Sequence, residues 1–166
     1  PCLIEEMVKF KKELSVIICR RPQGETVNYP VVESEFHPIA NQVEYILCPA
    51  RISNTAEKKA VEIALKTAEA YGQIGLLAVE LFLISDEEII VNEVAPRPHN
   101  SGHFSIETSY TCQFEQHIRA VLDLPLGKTD SKIAGVMVNL VGAEGHTGPV
   151  YYKNIDQILE IDGVIP

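Results

Sequence analysis

The sequence contains no tryptophan, two methionines and only four cysteines in 166 residues. Cys2, Cys19, Cys48 and Cys112 are far apart and form none of the close pairs of a zinc site or redox motif, and a chain of this length needs no disulfide staples. They are expected to be reduced and mostly buried. No run approaches the roughly 20 apolar residues of a membrane span, so no membrane partner is expected and a cytoplasmic location is the default. Positive charge is also scarce: 14 Lys and Arg against 23 Asp and Glu give a net charge of -9, and the cations are scattered. Nucleic-acid binding draws on a clustered basic face, so a nucleic-acid partner is not expected. A polyanionic small molecule stays compatible if a metal ion and a few local cations offset the carboxylates.

What is present is an ordinary globular balance, 46% apolar and 22% charged, enough for one well-buried domain. The chain begins in an apolar segment at Pro1 and stops at Pro166 in strand-like sequence, and it reads as a piece of a longer protein. Leu3 to Val8 and Glu13 to Arg21 read as strands, the second closed by the turn Pro22-Gln23-Gly24, with Thr26 to Glu33 returning as a hairpin arm. Val43 to Cys48 is a further strand. From Asn54 to Tyr71, Ala56, Ala60, Ile63, Ala64 and Ala68 recur at helical spacing, Asn54 with Glu57 has the form of a capping box, and Gly72 ends the helix. Strands over 75–84 and 88–95, an extended loop from Pro96 to Gly102, a helix from Thr111 to Leu122, a strand over 133–140 and a short helix near Asn154 to Leu159 follow. The Gly142-Ala143-Glu144-Gly145 segment lacks the lysine and strand-loop-helix context of a phosphate loop and reads as a turn. This order implies an α+β domain with a largely antiparallel sheet covered by helices.

The chemistry concentrates on one hairpin. Folding residues 76–95 about Asp86-Glu87 pairs Ser85 with Glu88 and Glu80 with Glu93, placing both carboxylates on the sheet face of Phe82 and Val91. Two like charges about 5 Å apart repel by about 3 kcal/mol at an effective dielectric near 20. A divalent cation between them would offset this, and an all-oxygen set suits Mg better than Zn. With only two protein carboxylates, the shell would be completed by water and phosphate oxygens, which points to a nucleotide. The alternative is a slipped register, or an Arg partner for each Glu. The next segment, Ala95 to His103, is stiffened by Pro96 and Pro98 and presents Arg97, His99, Asn100 and Ser101 as a donor array, although a plain surface loop has the same composition.

The run Asn92-Glu93-Val94-Ala95-Pro96-Arg97-Pro98-His99-Asn100-Ser101-Gly102-His103 closely resembles the signature of the 5-(carboxyamino)imidazole ribonucleotide synthetase family of ATP-grasp enzymes. Further matches lie at Glu5-Glu6, Glu13-Leu14-Ser15, Tyr29 to Val32, Ala78 to Phe82, Gln113 to His117 and Leu124 to Gly127, in order along nearly the whole chain. The resemblance implies an ATP-grasp fold fragment over residues 1–166, without the N-terminal domain, most of the lid and the C-terminal tail. It implies carboxylation of 5-aminoimidazole ribonucleotide with ATP and bicarbonate by way of carboxyphosphate, using Mg, with Mn as a substitute, and no biotin. By the same resemblance Glu5, Glu6, Met7 and Val8 read adenine, and Glu13 approaches the ribose. His37, Asn92 and Glu93 contact nucleotide, and Glu80 and Glu93 hold metal. Arg97 meets the bicarbonate-derived group, and His99, Asn100 and Ser101 lie near the ribonucleotide. The full-length protein is expected to be a homodimer and the isolated piece inactive. His117 is read as a packing residue. The alternatives are a formate-dependent phosphoribosylglycinamide formyltransferase of the same superfamily, disfavoured by Asn100-Ser101-Gly102 where that enzyme has Asp-Thr-Gly, and a non-catalytic nucleotide-binding module.

Overall fold

The apolar run around Ile17 becomes the centre of an antiparallel sheet in the computed structural model, which describes residues 2, 4–38, 42–142 and 145–166. Its strands are β1 (Lys12–Arg20), β2 (Thr26–Asn28), β3 (Val32–Phe36), β4 (Val43–Cys48), β5 (Gly75–Ser85), β6 (Glu88–Ala95) and β7 (Gly135–Val138). They lie in the order β6-β5-β1-β3-β4-β7 with β2 also on β1, and every pairing is antiparallel. The helices are α1 (Asn54–Tyr71), α2 (Ser105–Thr108), α3 (Gln113–Val121) and α4 (Ile155–Leu159). This is the α+β arrangement expected from the sequence. No helix among the described residues is long and apolar enough to cross a membrane.

β1 is buried on both faces because both are covered. Leu14, Val16 and Ile18 face α1, whose Ala56, Ala60, Ala64 and Ala68 let the helix lie close against Leu77, Val79 and Leu81 of β5. Ile17 and Cys19 face the other way, packing with Leu76, Ala78, Phe104 and Ala120 under α3. α3 covers only part of that second face. Ser15 and Glu13 continue it along β1, opposite Glu80 and Phe82 of β5, with Ser15 buried against Ser101 and Glu13 half-buried.

Several expectations are corrected. The α1 cap is Ser53, whose hydroxyl accepts from the Ala56 N–H at 3.2 Å, one residue before the anticipated Asn54, while Gly72 ends the helix at φ 61° as expected. Residues 4–8 form no strand, since no neighbouring strand pairs with them, and Leu3 lies outside the described residues, as do Ala143 and Glu144 of the anticipated turn. The arm expected over 26–33 splits into β2 and β3 at Tyr29-Pro30-Val31. The Tyr29 N–H still reaches Ile17 O at 2.9 Å, but Pro30 has no N–H to continue the ladder, and the buried Tyr29 hydroxyl donates to Thr111 O at 2.9 Å instead. That anchor, with the Thr111 N–H on Lys128 O, delays the start of α3 to Gln113. His117 is the packing residue expected of it: its Nδ1 accepts from the Leu76 N–H at 3.1 Å.

Candidate nucleotide and metal site

The end of the second face beyond α3 gathers the carboxylates. Ser15 pairs with Glu80 and Glu13 with Phe82 across β1 and β5, so all four side chains lie on one face. The β5–β6 hairpin keeps the expected register at its ends, with Ser85 opposite Glu88, Val79 opposite Val94 and Ala78 opposite Ala95. Its middle slips by one: Leu81 meets Val91, Phe82 meets Ile90 and Leu83 meets Ile89. Ile90 and not Val91 therefore lies across from Phe82. Leaving Ile84 without a partner near the turn and setting Asn92 and Glu93 together opposite Glu80 accommodates the slip. The second irregularity is a β-bulge at the proposed metal carboxylates, a device that redirects side chains at functional sites.

Glu93 acts electrostatically on both of its acidic neighbours. Burial, then the charges of Glu93 and Glu13, push Glu80 up to about 7, with Arg97 partly offsetting them. Glu13 is also raised, by burial and by Glu93. Three carboxylates thus share a region in which the exposed Arg97, whose Nη1 donates to Pro98 O at 3.1 Å, offsets part of the charge on Glu80. Among the described residues no three His, Cys, Asp or Glu side chains converge to hold a metal. The Glu80–Glu93 pair fits a hard divalent ion on charge and donor type, as a partial shell that water and phosphate oxygens would complete.

The loop after β6 is less extended than expected. Asn100–Gly102 forms a 3-10 turn capped by the His99 side chain, because Nδ1 accepts from the Ser101 N–H. That bond fixes Nδ1 as an acceptor, so the Ser101 hydroxyl donates to it at 2.9 Å, Ser15 Oγ donates to Ser101 Oγ at 2.8 Å, and His99 Nε2–H points at Glu80 Oε1, 3.3 Å away. Burial, with Arg97 and His103 adding to it against Glu93, lowers the His99 pKa and so disfavours the charged ring. Ser101 is buried and supports His99 from beneath, while Asn100 is partly exposed beside it.

The remaining residues expected at the nucleotide adjoin the start of β1 and the end of β3 in sequence. Residues 4–10 lead into β1 as an irregular, mostly exposed run containing Glu5, Glu6, Met7 and Val8. Phe10 stacks on Phe82 with centroids 4.4 Å apart, and a groove of about 590 Å³ opens between Phe10, Glu13, Ser34, Phe36 and Phe82. His37 follows Phe36 at the end of β3 that lies beside the start of β1, its N–H bonded to Gln42 O at 2.9 Å. The same groove is lined by a residue to which the sequence reading assigned no functional role: buried Glu33 accepts from Lys12 Nζ at 2.6 Å and from the Arg51 N–H at 3.1 Å and Nη2 at 2.7 Å, and Arg51 also pairs with Glu35. Burial would raise the Glu33 pKa, but these bonds outweigh it and hold the carboxylate below its usual range. The Val32-Glu33 alternation was the signal available. Gln113 was likewise unassigned, although it lies in a matched motif, because glutamine has no charge to betray it.

A family model of the ATP-grasp domain matches residues 1–114. The chain is 49% identical over 143 residues to the N5-carboxyaminoimidazole ribonucleotide synthase of Bacillus subtilis, covering 86% of this chain and 37% of that protein. The crystal structure of N5-carboxyaminoimidazole ribonucleotide synthetase from Thermotoga maritima superposes with a TM-score of 0.77 at 48% identity, over 86% of this chain and 37% of that one. The synthase from Aspergillus clavatus in complex with ADP and 5-aminoimidazole ribonucleotide gives 0.76 at 36% identity, over 81% and 36%. The chain therefore spans little more than a third of the length of these relatives.

Proposed function

We propose, from the premise that the chain belongs to the ATP-grasp family, that it forms the nucleotide-phosphate and ribonucleotide side of an enzyme that carboxylates 5-aminoimidazole ribonucleotide with ATP and bicarbonate in purine biosynthesis. The observation that carries this reading is the convergence of Glu13, Glu80 and Glu93 with Arg97 and His99 on one face of the sheet where β1 and β5 run side by side. Excess negative charge held in place without enough cations suits a metal-nucleotide complex. The relative containing both ADP and the ribonucleotide, 36% identical, supports the choice of substrate.

Magnesium, or manganese in its place, held by Glu80 and Glu93 would neutralise phosphate charge. Around it, Glu13 receives ribose hydroxyls, the 5–8 run reads adenine, and Asn92 and His37 flank the nucleotide. The aromatic wall of Phe10 and Phe82 bounds the groove beside Glu13. Arg97 binds the bicarbonate-derived group, its guanidinium forking onto carboxylate oxygens. His99 and Asn100 bind the ribonucleotide, with Ser15 and Ser101 holding the neutral imidazole as an Nε2–H donor. No biotin is needed, because positioning and charge neutralisation do the work. The full-length enzyme is proposed to be a cytoplasmic homodimer.

Replacing His99 or Asn100 by Ala in the full-length enzyme is expected to raise KM for the ribonucleotide about tenfold or more with KM for ATP nearly unchanged, because uniform binding to one substrate is removed. Steady-state kinetics with each substrate varied in turn measures this. A weakened ATP site with an unchanged ribonucleotide KM would show the two sides reversed.

A further inference from the structure

We infer that Gln113 is the positioning residue of the ribonucleotide loop, fixing both the place of His99 and the tautomer of His103. The inference rests on the proposed role of His99. Gln113 is fully buried at the first position of α3, and its own N–H is held by Ser105 Oγ at 3.0 Å. Its carboxamide grips one residue twice: Oε1 accepts from the His99 N–H at 2.9 Å and Nε2 donates to His99 O at 2.8 Å. An N–H can only donate and a carbonyl can only accept, so these two bonds settle which end of the amide is oxygen. The second Nε2 hydrogen then points at His103 Nδ1, 2.9 Å away, and makes that nitrogen an acceptor. His103 consequently carries its proton on Nε2. The Ser101 N–H imposes the same choice on His99, so both histidines of the loop present Nε2–H.

The fit around the carboxamide is close on every side. A Cβ on Gly102 would come within 2.5 Å of Gln113 Oε1, so the loop approaches the amide through a residue with no side chain. His103 is held from its other side by stacking on Phe114, centroids 5.7 Å apart. No charged group could replace the amide: a carboxylate has no hydrogen for His99 O or His103 Nδ1, and an ammonium cannot accept from the His99 N–H. Arg97 and Asn100 flank His99 on the same short loop, so a shift of His99 carries them with it. A displacement of about 1 Å in such a group is enough for a loss of up to a hundredfold.

The test uses full-length enzyme with 15N-labelled histidine. In the wild type, the ring nitrogen spectra are expected to show Nδ1 of His99 and His103 unprotonated; a protonated His103 Nδ1 would overturn the inference without any variant. In Gln113→Glu, His103 Nδ1 is expected to become protonated and KM for the ribonucleotide to rise at least tenfold with KM for ATP unchanged. Gln113→Met keeps the volume and removes all three bonds, and the same KM split is expected if the glutamate variant folds poorly. Unmoved His103 signals in Gln113→Glu would overturn the inference whatever the kinetics. If His99→Ala raises the ribonucleotide KM and the Gln113 variants do not, the clamp is refuted. If His99→Ala leaves that KM unchanged as well, the failure lies in the proposed role of His99.

Discussion

Turnover of the full-length enzyme is expected to fall about a hundredfold or more when Glu80 or Glu93 is replaced by Gln, because each substitution removes a charge that the metal-phosphate complex needs while keeping the size of the side chain. The loss should be greatest at limiting magnesium. Stability should move the opposite way in the metal-free protein. Glu80 is raised to about 7 in the folded state, above its ordinary carboxylate range, so the folded protein favours the protonated form. At pH below the unfolded value both states are protonated and Glu80 contributes nothing. As pH rises from there to about 7 the unfolded state ionises first and stability falls, and above that the penalty is constant at about 3 kcal/mol. Glu80→Gln removes this penalty, and its Oε1 still accepts from His99 Nε2–H. The variant is therefore expected to be more stable than the wild type at pH 8 and equal to it near pH 4.5, by thermal unfolding without metal. Normal turnover at limiting magnesium would sink the metal assignment.

A second large effect is expected from Gly102→Ala. An added Cβ would lie 2.3 Å from Ile17 Cδ1 and 2.5 Å from Gln113 Oε1, between the centre of β1 and the clamp on His99, and both neighbours are buried. Overpacking of this kind costs about 3 kcal/mol. Gly142→Ala provides the comparison, since no described residue lies within 4 Å of its Cβ and the expected change is under about 0.5 kcal/mol. Urea denaturation of the two variants measures the difference. Equal midpoints would mean that the loop does not press on the sheet at Gly102.

The parts of the fold that were legible in the sequence are those with a single periodic signal. The alanines of α1 repeat at helical spacing and all four buried ones meet the sheet, and the apolar run of β1 falls at the sheet centre. The hairpin turn at Asp86-Glu87 was equally clear, and it placed Glu80 and Glu93 near each other. The bulge at Asn92-Glu93 was not legible, because period-two alternation carries no mark of an inserted residue, and with it went the assignment of Val91 to the face of Phe82. Short segments failed for a related reason. Residues 4–8 have strand-like composition without a partner strand, and Ser53 and Asn54 both suit a helix cap, so only tertiary contacts choose between them. The donor array from Arg97 to Ser101 was legible as chemistry, whereas its inward fold was set by Ser15 and Gln113, distant in sequence.

The most direct measurement is phosphate release by the full-length enzyme with ATP and magnesium, comparing bicarbonate with formate, each with and without 5-aminoimidazole ribonucleotide. Release that requires bicarbonate and the ribonucleotide together, and that is lost in Glu80→Gln and Glu93→Gln, is the expected result. Release driven by formate, or release indifferent to both carboxylates, would contradict it.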